Sequence, residues 1–226
     1  MIRCLRKTSI MESFLQSTLV IHIISGTVAL VSGLLAMGLF KRTQQHRKAG
    51  KLFFYAMTMI FATAVSLAAI KGLSFLLCIA FLSYYSAFRG VRALKFLRGS
   101  SVRWYDGVAG VLVILCGMYL SLRGYRIFIV GNTEAAIIHL AFGGLTILLA
   151  IGGLLELIRS RKQKVNWFRV HKSAMGGALI ATMTAFSVTA LSFLPDIVAW
   201  LGPTIVLSPV LSLVIRSSER GSKALG

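Results

Sequence analysis

Residues 18–39 read TLVIHIISGTVALVSGLLAMGL, twenty-two positions without a charge and with one histidine, His22, close to the start. As a helix rising 1.5 Å per residue the stretch covers about 33 Å, enough to cross about 30 Å of hydrocarbon. It shows no alternation of period two. Lipid offers no partner for a backbone N–H or C=O, so a spanning segment of this kind must satisfy its own peptide groups, and a helix does so where an isolated strand cannot.

Six more runs of similar character follow: Leu52 to Ile70, Leu73 to Val91, Trp104 to Leu122, Ala135 to Ile158, Ala174 to Leu194, and Ile197 to Ile215. Over all 226 residues 57% are hydrophobic and mean hydropathy is +0.81, above the roughly 45–50% apolar share of soluble domains. The expected fold is therefore all-α, a polytopic membrane bundle of about seven helices. It divides into an N-terminal segment 1–17, a single transmembrane domain 18–216 and a tail 217–226.

A net charge of +19 in a soluble chain would suggest nucleic acid, but here the basic residues sit in short connections that cannot build a base-stacking face. Their placement is informative. The side holding connections 1–2, 3–4, 5–6 and the C-terminus carries 19 Lys/Arg and the opposite side 6. By the positive-inside rule the N-terminus lies outside and the C-terminus in the cytoplasm, as in a multi-pass protein of a bacterial inner membrane. Arg3, Arg6 and Lys7 run against this, and translation beginning at Met11 would remove them. The first run exceeds a signal-peptide core and lacks a clear cleavage site, so it is expected to persist as a helix. Cys4, Cys78 and Cys116 are too scattered for a disulfide framework or a zinc ribbon.

All four histidines fall at matching positions of an internal repeat. The first copy, 18–95, contains His22-Ile-Ile-Ser-Gly26, His46-Arg-Lys, Met57-Thr58 and Thr63-Ala64; the second, 135–215, contains His139-Leu-Ala-Phe-Gly143, His171-Lys, Met183-Thr184 and Thr189-Ala190. Counting crossings makes the two copies parallel, which puts equivalent residues at equal depth. His22 and His139 then share one level and His46 and His171 another. The stretch from His22 to Phe40 rises about 27 Å, so no single ion meets all four.

Neutral imidazole is a ligand for haem iron, and two from facing helices make a bis-histidine site. Zinc would want further Cys, Asp or Glu at that depth, and only Glu134 is near. The reading is one b-type haem between His22 and His139 and a second between His46 and His171, with Gly26 and Gly143, four residues after a histidine, leaving flat surface for the ring. Arg47, Lys48, Arg169 and Lys172 would face haem propionates. The alternative at His22 and His139 is a plain hydrogen bond to a neighbouring helix carbonyl, and small-residue faces also serve close helix packing. At the second level the basic clusters read equally as headgroup anchors.

Thr58, Thr63, Thr184 and Thr189 are expected to back-bond to the preceding turn. Glu156 is expected to pair with Arg159 three residues on, Asp106 to open a helix at the interface, and Pro203 and Pro209 to bend the last helix. No phosphate loop, nucleophile elbow or carboxylate pair occurs, so hydrolytic and nucleotide-driven mechanisms have no support.

His22 with the Gly/Leu-rich run after it, His46-Arg47-Lys48-x-Gly50 and the Met57-Thr58 helix together resemble a bacterial family of polytopic membrane proteins catalogued as domain of unknown function 2306. That resemblance implies an integral inner-membrane protein and assigns no reaction. The paired histidines at two levels are also similar to cytochrome b561-type proteins, from which this chain departs in having seven spans and histidines near helix starts. The expected function is a haem-binding electron-transfer protein working with a membrane redox partner or quinone. A small transporter or permease and a non-catalytic assembly subunit are the rivals, and no enzymatic reaction is assigned.

Overall fold

A computed structural model describes residues 2–39 and 43–223, with side chains described over 11–39 and 43–217. Arg3, Cys4, Arg6 and Lys7 therefore have side chains outside the described residues. Among the described residues there is no strand, and seven helices account for nearly all of the chain: α1 Ile2–Gly38, α2 Thr43–Lys71, α3 Ser74–Leu97, α4 Trp104–Ile129, α5 Thr133–Arg159, α6 Trp167–Ala190 and α7 Asp196–Lys223. Each contains a segment long and apolar enough to cross a membrane. The chain is a multi-pass membrane protein.

The expected runs lie inside these helices, to within one residue at Leu39 and Leu73, with one larger exception. The sixth, drawn to Leu194, stops at Ala190. Pro195 disfavours helical backbone at the residue before it, and the chain turns through Leu191–Leu194 before α7 begins. Helix α7 then continues through both Pro203 and Pro209. Three helix ends share one device: Gly72 at φ +67° lets Leu73 N–H reach back to Ala68 O after α2, and Gly99 and Gly131 at φ +87° and +91° do the same after α3 and α4. A residue with a Cβ is disfavoured in this left-handed turn.

Two compact units can be separated, Met1–Ala80 and Phe81–Gly226. In the first, α1 and α2 form an antiparallel hairpin. The buried positions of α1, Thr18, Ser25, Ala29, Ser32 and Ala36, recur at helical spacing and are all small. Opposite them α2 buries Phe53, Ala56, Met57, Thr63 and Ala68. Bulky residues of α1 such as Val20, Ile21, Ile23 and Ile24 face outward. Small groups within and large aliphatics without suit a helix pair solvated by acyl chains, where close approach rather than expulsion of water drives association.

The second unit is assembled on α4 and α5. Gly143 of α5 lies against Ser121 Oγ, and a Cβ there would stand 2.8 Å from Ser121 N and 3.0 Å from Gly117 O; one at Gly117 would stand 3.0 Å from Gly143 O. Two helix backbones meet at this crossing, as small-residue motifs permit. Tyr85, Val113 and Ala150 make a buried cluster joining α3, α4 and α5. On α6, Met175 packs over Gly90 of α3, and Gly176 meets Leu211 of α7. Phe142 of α5 stands edge-on to Trp200 of α7, ring centroids 5.8 Å apart.

Gly143→Ala should destabilise the protein by about 1–3 kcal/mol, the scale of overpacking a tight contact. Gly144→Ala, where a Cβ meets nothing within 4 Å, should be neutral or stabilising by up to about 1 kcal/mol through helix propensity. Thermal unfolding of the two variants in detergent checks the contrast, and equal behaviour would contradict the crossing.

Candidate functional site

Each histidine has a defined Nδ1 contact. In the first unit His22 on α1 lies 2.8 Å from Thr63 Oγ1 on α2. The Thr63 hydroxyl proton is directed to Met59 O at 2.7 Å and Ile60 O at 3.0 Å, so Thr63 Oγ1 acts as acceptor and His22 Nδ1–H as donor. His46, in the first turns of α2, donates from Nδ1 to Ala36 O at 2.8 Å. Ala36 belongs to the last turn of α1, whose carbonyls lack a helical partner; His46 thus caps α1 from the next helix.

In the second unit His139 Nδ1 donates to Ala135 O one turn earlier on α5, at 2.8 Å. His171 Nδ1 on α6 donates across to Gly90 O of α3 at 2.9 Å. A carbonyl can only accept, so in the neutral ring these contacts fix the proton on Nδ1 and place the lone pair on Nε2. Where the ring is neutral the proton therefore sits on Nδ1 at all four histidines, and each is half-buried.

Within each unit the two histidines are far apart along the helix axis. His22 and Ala36, the partner of His46, are separated along α1 by about 21 Å of rise. In the second unit His139 adjoins Gly124 of α4, while Gly153, about 21 Å further along α5, adjoins Arg89 next to Gly90, the partner of His171. The two glycines expected to leave room beside the histidines differ: Gly143 is taken up by the α4 crossing, whereas a Cβ at Gly26 would meet nothing within 4 Å. Among the described residues no three His, Cys, Asp or Glu side chains come together to hold a metal ion.

A charged cluster that sequence spacing did not indicate lies in the second unit. Arg92 of α3 is bidentate to Asp106 of α4, both contacts 2.6 Å, and its guanidinium also reaches Ser101 O at 3.2 Å. Asp106 accepts Arg103 N–H at 2.8 Å, so the carboxylate both caps α4 and neutralises Arg92. The pair is sealed: Arg92 is 6% and Asp106 4% exposed, with Phe96 and Tyr105 rings 4.6 and 5.0 Å from the guanidinium carbon. Glu156 does not pair with Arg159. Arg89, one turn before Arg92, takes it instead from α3, with contacts of 2.7, 2.7 and 3.2 Å. The close approach of α5 to α3 at Gly153, which lies against Tyr85 and Arg89, brings the Arg89 fork onto both oxygens of the carboxylate.

A cavity of about 20 Å³ lies between these pairs, lined by Tyr85, Arg89, Arg92, Asp106, Glu156 and Trp167 among others; that is room for about one water. The threonines back-bond as expected at Thr58, Thr63 and Thr189. Thr184 departs: 4% exposed, its hydroxyl is the one buried side-chain polar atom without a hydrogen-bond partner among the described residues.

Comparison with known proteins gives no match: no family model, no curated protein and no solved structure is similar to this chain.

Asp106→Ala leaves Arg92 buried without a counter-charge and should cost about 3–5 kcal/mol, whereas Arg92→Met combined with Asp106→Leu should recover much of that loss. Folded yield and unfolding temperature of the three proteins test it; a double variant no better than Asp106→Ala would show that the pair does not act as a unit.

Proposed function

We propose that this chain is a bacterial inner-membrane electron-transfer protein whose four histidines hold b-type haem, His22 with His139 at one level and His46 with His171 at the other. The observation that supports the reading is the shared tautomer: Nδ1–H anchored to an oxygen in all four rings. Metal-binding histidines characteristically spend one ring nitrogen on such an anchor, which sets ring orientation and leaves the other nitrogen as the ligand.

The donor set suits haem more than a closed zinc or copper centre, since each level offers imidazoles without a third His, Cys, Asp or Glu gathered beside them. When bound, haem supplies a one-electron couple. The protein residues orient the imidazoles and exclude water. Thr63 strengthens His22 as a donor by accepting its Nδ1 proton, and Arg169 and Lys172 near His171, like Arg47 and Lys48 near His46, offer positive charge to propionates. A membrane quinone or a redox subunit would exchange the electron. The resemblance to the domain of unknown function 2306 family and, more faintly, to cytochrome b561-type proteins belongs to the same proposal.

The Lys/Arg asymmetry of the connections, 19 against 6, supports an external N-terminus and a cytoplasmic C-terminus. A fluorescent reporter fused to the C-terminus should glow in intact bacterial cells, and an alkaline phosphatase fused there should be inactive; the reverse pattern would invert the topology.

The reduced-minus-oxidised visible spectrum of the purified full-length protein should show paired haem b bands. His22→Ala and His139→Ala should each abolish the same component, and Thr63→Val should lower haem retention by about tenfold or more through loss of the Nδ1 anchor. No haem bands in protein made with haem supplied, or loss of signal from one histidine of the pair alone, would overturn the assignment.

A further inference from the structure

Arg123 and Arg126 are two of the few basic residues on the Lys/Arg-poor face, where topology disfavours them. They lie three residues apart near the C-terminal end of α4, so their side chains rise from one face of the helix. Both are exposed, and both line a cleft of about 510 Å³ together with Tyr119, Leu122, Ile127 and Val130. Arg123 Nη1 donates to the Tyr119 hydroxyl at 3.2 Å, which holds the guanidinium along the groove. No carboxylate is among the described residues lining the cleft.

The negative end of the α4 dipole favours a cation in the last turn and accounts for Arg126 without a ligand. It does not account for Arg123, a turn deeper and tied to Tyr119. From Tyr119 to Val130 the groove runs about 16 Å along the axis, with guanidinium groups in its middle and aliphatic walls beside them. Two exposed positive charges bordered by apolar surface, one of them held by Tyr119, just past the end of the fourth apolar run at Leu122, complement one ligand chemistry: a phosphodiester carrying acyl chains.

We propose that this cleft is a binding site for an anionic phospholipid, with Arg123 and Arg126 on the phosphate and Leu122, Ile127 and Val130 against the first acyl carbons. Guanidinium recognises phosphate through paired donors, and a net-negative headgroup leaves no opposing choline or ethanolamine charge beside the two arginines. The site does not depend on haem.

The test uses the full-length protein in detergent, stripped of lipid and offered equal amounts of dioleoyl phosphatidylglycerol and dioleoyl phosphatidylcholine, with bound lipid counted by native mass spectrometry. Wild type should retain one phosphatidylglycerol in preference to phosphatidylcholine. Arg123→Gln with Arg126→Gln should reduce that preference by about tenfold or more, since each lost charge near the headgroup weakens binding by a comparable step. Arg123→Lys with Arg126→Lys should keep most of it, and circular dichroism of each variant reports the fold. Arg161→Gln with Lys162→Gln, on the Lys/Arg-rich face, should leave the retained lipid in place. Should the Gln pair not fold, wild type in 0.5 M salt replaces it, and there the preference should fall. Equal loss from both Gln pairs, equal retention of the two lipids, or displacement by inorganic phosphate would each overturn the proposal.

Discussion

Hydrocarbon supplies no hydrogen bonds, so every polar group carried into it must find a partner within the chain. That constraint makes the backbone helical, and it governs the side chains as strictly. Arg92 and Asp106 enter the interior together, fork to carboxylate, with Ser101 O and Arg103 N–H taking up further bonding capacity. Arg89 and Glu156 do the same one turn away. Each histidine meets the requirement at Nδ1. Even the hydroxyls of Thr58, Thr63 and Thr189 fold back onto carbonyls of their own helix, which makes the unpartnered hydroxyl of Thr184 a departure rather than a pattern.

Once polar groups are satisfied, packing follows from shape alone. Lipid tails are as apolar as leucine, so helices gain little by hiding aliphatic side chains from them and associate where backbones come close. The Gly117–Gly143 crossing of α4 and α5 and the Met175–Gly90 contact of α6 and α3 are of this kind. The close approach also serves the charges. With Gly153 against Tyr85 and Arg89, α5 comes near enough to α3 for Glu156 to reach its partner. Glycine on one helix thereby sets the geometry of an ion pair on its neighbour.

The number of helices and their membrane character were legible in the sequence because both depend on composition summed over some twenty residues. Helix ends were less so: the third and fourth apolar runs close at Val91 and Leu122, whereas α3 and α4 continue to Leu97 and Ile129 before the turns at Gly99 and Gly131, and the sixth run passes its helix end to Leu194, where Pro195 acts. The separation of His22 from His46 along the first helix followed from rise per residue alone. The charge partners did not. Glu156 has Arg159 three residues away and Arg89 sixty-seven residues away, and local spacing favours the first; only the α3–α5 approach makes the second available. Asp106 was readable as a helix start but not as the counter-charge of Arg92, because that requires knowing that α3 and α4 fold back on each other. The Thr63 partner of His22 was likewise invisible, since back-bonding describes a threonine's donor and says nothing of what its oxygen accepts.

Anchoring and ligation need not compete for the same histidine. For His22 and His139 the sequence sets a plain hydrogen bond to a helix carbonyl against a metal ligand, and for His46 and His171 a headgroup anchor. His139 makes the carbonyl bond to Ala135, and His46 and His171 make carbonyl bonds that the sequence did not indicate, to Ala36 and Gly90; a carbonyl acceptor consumes only Nδ1–H and in the neutral ring leaves the lone pair on Nε2. The same bond that ties His46 to the end of α1, or His171 to α3, is therefore compatible with the tautomer that a metal ligand would need. His22 reaches that tautomer by a different route, through a threonine whose own proton is already committed to Met59 and Ile60. Four rings in two repeats thus set Nδ1 against an oxygen by unlike local means.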